Sequence, residues 1–224
     1  MLIKFGAIVV GGRGKLGGQV FSRNRGGDYM RNNATPVNPQ TTFQMQQRAA
    51  LAIFSRGWSL LTETQRAAWN AAVESFPKTN VFGDVKKLSG KNLYTSLNRN
   101  LQLVGGNVEN TPPSPGPLGV PTGIIMDNFS ATAADFQVEG TQLGDKIVIV
   151  STGPVTAGTT FVKNRFRIIE VVTASDPETP VNAFPEYVSR FGSIAPGQKV
   201  FFGAYAINIE GQASPMVTVS AFAD

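Results

Sequence analysis

The chain has 224 residues, 42% of them hydrophobic, and a formal net charge of +5, which is enough material for two modest domains with real cores. Cysteine and histidine are both absent, which excludes disulfides, Ser–His–Asp and Cys–His nucleophiles and the usual zinc sites. Carboxylate-only chemistry of the glycosidase kind and magnesium–carboxylate chemistry remain open.

The charge is unevenly spread. Residues 1–110 carry 14 Lys and Arg against 5 Asp and Glu, a net +9, while residues 111–224 carry 6 against 10, a net −4. Such polarity implies two modules with different partners, the basic one suited to nucleic acid or an acidic protein surface. No run of about 18 apolar residues occurs, so no transmembrane helix and no membrane partner are expected. Arg13, Lys15, Arg23 and Arg25 stand where a secretory leader would place small residues and a cleavage site, so the N-terminus reads as mature and the protein as unsecreted.

In chain order, Leu2–Val10 is rich in Ile and Val and predicts a strand. Gly11, Gly12, Gly14, Gly17 and Gly18 then interrupt regular structure. Gln19–Phe21 and Tyr29–Arg31 read as short strand pieces around a turn at Gly26, Gly27 and Asp28. Residues 1–35 thus form a glycine-rich β arm with six bases and one acid. An arm of this kind can add strands to a neighbour through Ile3, Phe5, Ile8 and Val10. It can also lie along phosphates through Arg13, Lys15, Arg23 and Arg25. The apolar strand residues favour assembly over direct nucleic-acid contact.

Residues 36–110 predict a helical docking module. Thr41 and Gln44 match a capping box, followed by Phe43, Ala50, Phe54, Trp58 and Leu61 at helical spacing, with Gly57 expected to bend or shorten the helix. Thr62 and Gln65 form a second capping box, opening a helix whose face is Ala68, Trp69, Ala72 and Phe76 and which Pro77 ends. Lys78–Leu88 reads as a loop or hairpin. Ser89 caps a third helix carrying Leu93, Tyr94, Leu97, Leu101 and Val104, closed by Gly105 and Gly106. These three helices are expected to make one small bundle.

Residues 111–121 hold five prolines and predict a stiff linker. Strand-like runs then recur at Ile124–Phe129, Ala134–Val138, Lys146–Ser151, Thr160–Val172, Glu186–Phe191, Lys199–Ile209 and Met216–Phe222. Seven short strands predict an immunoglobulin-like β-sandwich over residues 122–224, able to fold alone from about residue 118. The fold class expected is therefore α+β and multidomain.

Gly12, Gly14 and Gly17 satisfy G-x-G-x-x-G. A dinucleotide site needs a helix to start there, and the polar residues and glycines that follow have no apolar helical face. Leu16 also stands where a P-loop would have its Ser or Thr. Trp58 and Trp69, at helical spacing with Phe54 and Phe76, read as core rather than as a stacking platform. Asp176 and Glu178 lie in an apparent Pro-rich loop, which makes a metal or acid–base role unsuited to them. No catalytic, cofactor-binding or metal-binding residue is expected, and no cofactor.

Ala206, Ile207 and Asn208, then Gly211, then Ser214 and Pro215 resemble the end of a fibronectin type III domain, over roughly residues 118–224. Val200 stands where that family has its corner tyrosine, and no tryptophan follows Trp69. In the N-terminal half, Gly14–Gly17, Pro36–Pro39, Gln65–Trp69, Ser89–Leu93 and Leu97–Asn100 occur in an order that resembles a family of uncharacterised proteins of Bacteroidetes and their phages, in particular virion neck or tail proteins of crAss-like phages. That resemblance covers about residues 10–104. It implies a non-enzymatic structural virion protein, a multi-copy ring component of the neck or tail assembled in the host cytoplasm. Its partners would be further copies of itself and other virion proteins, with nucleic acid secondary. A nucleic-acid-binding module built on the basic half, or a carbohydrate-binding domain, are the alternatives.

Overall fold

The computed structural model describes residues 1–6, 10–80, 82–86, 88–175 and 177–224, with Phe43 described in its backbone only. The chain divides into two compact units: Met1–Ser96 with Glu109–Ser114, and Leu97–Val108 with Pro115–Asp224.

The first unit opens with a three-stranded antiparallel sheet of β1 (Gly14–Leu16), β2 (Gln19–Asn24) and β3 (Gly27–Asn32), in that order. Gly17, at φ +55°, makes the tight return from β1 to β2. The predicted strand over Leu2–Val10 is much shorter in the structure. Leu2 bridges Tyr29, and Met30 N–H and Ile3 N–H donate to Met1 and Asp28 carbonyls, both at 2.9 Å. Pairing stops there because β3 begins at Gly27 and Lys4 turns to an ion pair with Asp84 at 3.1 Å.

Three helices follow: α1 (Thr42–Leu60), α2 (Glu63–Ala72) with a 3₁₀ turn at Val73–Ser75, and α3 (Gly90–Leu103). Thr41 accepts from Gln44 N–H, and Thr62 and Gln65 form a complete capping box. Gly57 neither bends nor shortens α1. A Cβ there would lie 2.7 Å from the Tyr94 hydroxyl, so the glycine admits a ring from α3. Gly90 serves the same end against α2, where a Cβ would meet the Asn70 nitrogen at 2.7 Å.

Those close approaches frame an aromatic core. Trp69 and Tyr94 are fully buried and meet edge to face at 5.4 Å, with Trp58 tilted on Tyr94 at 5.8 Å. Phe54, Leu61, Phe76 and Leu93 complete it. The buried indole N–H of Trp69 donates to the Asn110 carbonyl at 2.9 Å.

The second unit is a sandwich of seven strands. β4 (Gly123–Phe129), β5 (Ala134–Glu139) and β8 (Glu178–Asn182) form one sheet in the order β4-β5-β8. The other runs β10-β9-β6-β7, from β6 (Lys146–Ser151), β7 (Arg167–Thr173), β9 (Lys199–Ile207) and β10 (Val217–Phe222). All pairings are antiparallel. This is an immunoglobulin-like arrangement, and the chain is of the α+β class. Alternation fills the space between the sheets with Phe129, Phe136, Val138, Ile147, Ile149, Val200 and Phe202.

Two strand expectations fail here for identifiable reasons. Glu186–Phe191 belongs to a helix, α4 (Phe184–Phe191), with Pro185 in its first turn. Its apolar residues Phe184, Tyr187, Val188 and Phe191 stand at i, i+3, i+4 and i+7, the spacing of one helix face. The strand at this point in the fold is β8 instead, whose alternation of exposed and buried residues was hidden by Pro180. The long run predicted from Thr160 is strand only from Arg167. Tyr187 occupies the core beside Phe191 and Phe202, in a sandwich that has no tryptophan, and burial pushes its phenol up to about 12.

The helical module and the linker are also apportioned differently from the sequence expectation. Residues 97–108, including the second half of α3, belong to the sandwich unit. Leu103 and Val104 cover Val148, Val150 and Ile207 on the outer face of the four-stranded sheet. Gly211, at φ +80°, faces the same helix: a Cβ there would lie 2.5 Å from the Leu97 carbonyl, and Asn100 donates to the Gly211 carbonyl at 2.8 Å. From Pro115 onward the proline-rich segment is part of this unit too. Gly116 N–H donates to Gln212, Asn208 to the Pro117 carbonyl, and Gly119 N–H to the Asp145 carboxylate. Burial raises the Asp145 carboxyl, and the bond from Gly119 opposes that shift.

Two stability measurements follow from this packing. Trp69→Ala is expected to cost about 3–5 kcal/mol in chemical denaturation followed by helical circular dichroism. Gly211→Ala is expected to cost about 2 kcal/mol or more, because it meets both a left-handed backbone and the Leu97 carbonyl. Gly158→Ala, which would meet nothing within 4 Å, should stay within about 0.5 kcal/mol. Equal effects of the two glycine variants would contradict the close approach.

Candidate assembly interface

The β1–β3 sheet has two long edges with different fates. The outer edge of β3 is covered by residues 1–3, whereas among the described residues β1 has strand pairing only to β2. β1 is three residues long and exposed throughout, and Leu16 keeps 73% of its surface in solvent. An unpaired edge offers its main-chain groups to a further strand, and the brevity of β1 limits how many such bonds can form.

The eight residues expected to form the arm's contact surface do not lie together. Ile3 is half-buried against β3. Phe5 is half-buried beside Gly12, where a Cβ would come within 3.2 Å of its ring. Both serve this unit's own packing. Ile8 lies outside the described residues, and Val10 is 89% exposed. Arg13 and Lys15 are exposed at and beside β1, with no ion partner among the described residues. Arg23 stands opposite Asp28 in the β2–β3 register, with Nε 3.7 Å from its carboxylate. Arg25 sits in the β2–β3 turn and lines a cleft of about 550 Å³ with Val73, Glu74, Lys86 and Leu88. The β1–β2 and β2–β3 turns lie at opposite ends of β2, roughly 17 Å apart. The four cations therefore form two groups, with Arg13 and Lys15 at the free edge.

Sequence reasoning counted Arg31 among the bases of the arm and did not place Leu16 on the interaction surface. Lys15, Val20 and Arg31 stand opposite one another across the three strands, so they share a face. The period-2 pattern carried that information once the two turns were known.

The N-terminal segment is itself anchored. Lys4 bonds Asp84 and lies 5.1 Å from the Phe82 ring centroid. Hydrogen bonds from Asn80 and then Lys4 hold the exposed Asp84 carboxyl below its usual value. The loop Thr79–Val85 closes by a bridge between its ends, with Asn80 accepting from Phe82 and Asp84 N–H.

A second exposed apolar feature runs along α1. The buried side carries Ala50 and Phe54, while Met45, Ile53 and Leu60 are 50%, 56% and 85% exposed.

The sandwich shows the opposite treatment of its edge at β7. The β6–β7 register shifts, and Ile149 in the core stands opposite Glu170. Glu170 therefore faces the sandwich interior, and its Oε2 is buried with no hydrogen-bond partner. A bulge and an inward carboxylate both oppose pairing at an edge. On the other sheet, Glu178 lies in strand β8 rather than a loop, directly opposite Glu139. Asp176 lies outside the described residues.

Gly12–Gly17 leads into β1 and the return to β2, not into a helix, so no helix N-terminus stands behind these glycines. Among the described residues no group of three or more acids could hold a metal ion, and no helix is long and apolar enough to cross a membrane.

The chain matches no family model and no curated protein. Among solved structures it is similar to a β-1,2-glucanase from Parabacteroides distasonis, at 15% identity and a TM-score of 0.30, over 50% of this chain and 14% of that one. It is also similar to the fn3 domain of the human collagen alpha-1(XX) chain, at 13% identity and a TM-score of 0.31, over 50% of this chain and 89% of that one. The chain thus spans about a seventh of the glucanase.

Glu170 gives the sandwich a pH dependence. Desolvation, then repulsion from Glu186, raises its carboxyl above the usual glutamate value. The folded state then binds the proton more tightly than the unfolded state, so stability falls as pH rises through the unfolded value of 4.5. Glu170→Gln is expected to raise the Tm at pH 7 and to leave it nearly unchanged at pH 4. A variant that lowers Tm at both values would mean that the carboxylate is satisfied.

Proposed function

We propose that this chain is a non-enzymatic structural protein that works in many copies and docks through its N-terminal sheet. The observation that carries this reading is the β1 edge, unpaired among the described residues, which presents Lys15 and an exposed Leu16 after Arg13. Edge pairing uses main-chain hydrogen bonds and needs little buried side-chain area, which suits a segment this rich in glycine. The sequence resemblance to neck and tail proteins of crAss-like phages supports a setting for it, as a ring component of a virion with other virion proteins as neighbours. The sandwich then serves as an outward or partner-binding module, in keeping with the many roles such domains take.

A second reading, a nucleic-acid clamp, is favoured by one observation. Lys15 and Arg31 share a face with Val20 and Tyr29 on the same sheet, a basic surface with an aromatic of the kind that tracks phosphates.

One set of variants separates the two. Deleting residues 1–35 is expected to reduce a large native mass to a monomer, with α1–α3 still helical by circular dichroism. Arg13, Lys15, Arg23 and Arg25 all changed to Gln should leave the assembled mass in place at low salt and weaken it modestly. If the quadruple variant assembles normally but loses tight, salt-sensitive DNA binding shown by the parent, the sheet is a nucleic-acid clamp. A parent that is monomeric at all concentrations would remove the assembly reading.

A further inference from the structure

The sheets of the sandwich end at β4, β8, β10 and β7, and three of these edges are closed to a further strand. β7 has its bulge and Glu170. β8 carries Pro180, which has no N–H to offer. β4 shifts register between Met126 and Asn128, with the exposed Asp127 at the irregularity. β10 has none of these devices. It pairs with β9 over six residues without a shift, and it contains no charge, proline or glycine. A run of that composition pairs readily with other strands.

Hydrogen bonds identify the main-chain groups on offer. Ala223 N–H donates to the Gln198 carbonyl at 2.9 Å, on the β9 side. Alternation then turns the main chain of Val217, Val219 and Ala221 to β9, and turns that of Thr218, Ser220 and Phe222 away from it. Asp224, next in the second set, donates to the Phe129 carbonyl at 3.2 Å, so β4 holds only the end of the strand. Among the described residues no main-chain bond reaches Thr218, Ser220 or Phe222 from the open side. The side chains leave a matching gap: Val217, Val219 and Ala221 pack on the core and are only half-buried. An extended strand along β10 satisfies the first set and covers the second.

The occupant must itself have an open edge. Within this chain β1 offers three residues and carries Lys15, whereas β10 offers six and is neutral. Set antiparallel on itself about Val219, β10 places Thr218 opposite Ser220 and Val217 opposite Ala221. Met216 then meets Phe222; they are 39% and 51% exposed, and the Met216 sulfur lies on the outer face above Gly203. Alternation alone does not give this match. Moving the axis to Thr218 or Ser220 keeps the faces but sets Met216 against Ser220, or Phe222 against Thr218.

We propose that β10 pairs antiparallel with β10 of a second copy of this chain, about a two-fold axis at Val219, joining two four-stranded sheets into one. The pairing rests on the reading that copies associate. It is short, so the high local concentration within the assembly supports it, and the chain lacking residues 1–35 does not form it at ordinary concentrations.

The chain has no native cysteine, so introduced thiols report on neighbours without background. In the assembled full chain, Val219→Cys is expected to give a disulfide-linked dimer on oxidation, because its Cα lies about 4.5 Å from its own copy. Thr218→Cys and Ser220→Cys are expected to link when the two variants are mixed, at about 5.5 Å. Alone they should not, since diagonal neighbours are about 7–8 Å apart. Ser220→Pro removes an N–H that β9 does not use, so the Tm should hold while linking at Val219→Cys falls by about tenfold or more. Ser220→Lys, exposed and without a backbone constraint, should give the same loss by setting like charges near each other. Self-linking of Thr218→Cys or Ser220→Cys would put the axis elsewhere and overturn the pairing. Links between Ser220→Cys and Lys15→Cys would assign β10 to a neighbouring β1 and overturn it too. No link at Val219→Cys, with the arm-dependent native mass intact, would sink this pairing alone. A parent that stays monomeric would remove the assembly reading with it.

Discussion

The close approach of Gly211 to the Leu97 carbonyl is the constraint on which the architecture of the sandwich unit turns. A helix backbone can come this near a sheet connection only where one of the two lacks a side chain at the contact. Gly211 supplies that gap, and its left-handed backbone holds the turn after β9 in place. With the gap closed by Asn100, the end of α3 can cover Val148, Val150 and Ile207. One helix therefore takes part in both units: Leu93 and Tyr94 are buried in the first, while Leu103 and the adjoining Val104 pack on the sandwich in the second.

Much of this was legible in the sequence where a local signal is also the structural one. The complete capping box at Thr62 and Gln65, the cap at Thr41, the stop at Gly105, the aromatic face around Trp69 and six of the sandwich strands can be read from residues a few positions apart, whereas Gln44 does not close the capping box expected at Thr41. What failed depended on distant partners. Gly57 reads as a helix breaker until Tyr94 is known to stand over it. Val104 shares the spacing of Leu93, and nothing in that spacing tells which of two cores receives it. Pro180 disguised β8, because a proline is tolerated on an edge strand whose N–H faces outward. For α4 the sequence was sufficient, since its apolar residues stand at i, i+3, i+4 and i+7 rather than alternating. The arm was harder still. Ile3 and Phe5 look available on paper, and only the return of the chain beside β3 shows that they are already in use.

The surfaces differ in how openly they invite partners. β7 is closed to further strands by its bulge and by Glu170, which weakens the sandwich at neutral pH. β1 carries no such protection beyond its brevity. On the outer side of the three-stranded sheet, Glu139 faces Glu178 without a cation, in a row where Gly123 leaves space for the Glu139 carboxylate. Like charges set opposite each other reduce sheet stability, so this face resists apolar association and stays wet.

The division of the chain between its two units bears on how the protein is made. The polypeptide passes from the first unit to the second at Leu97, returns at Glu109 and leaves again at Pro115. The surface that Leu103 and Val104 cover is complete only when Ile207 has been synthesised, roughly 100 residues later. At ribosomal rates of about 5–20 residues per second, the end of α3 spends on the order of 5–20 s outside the exit tunnel with its apolar side open. The nascent chain thus presents a chaperone-sized target during every round of translation, and the last third of the message decides when that window closes.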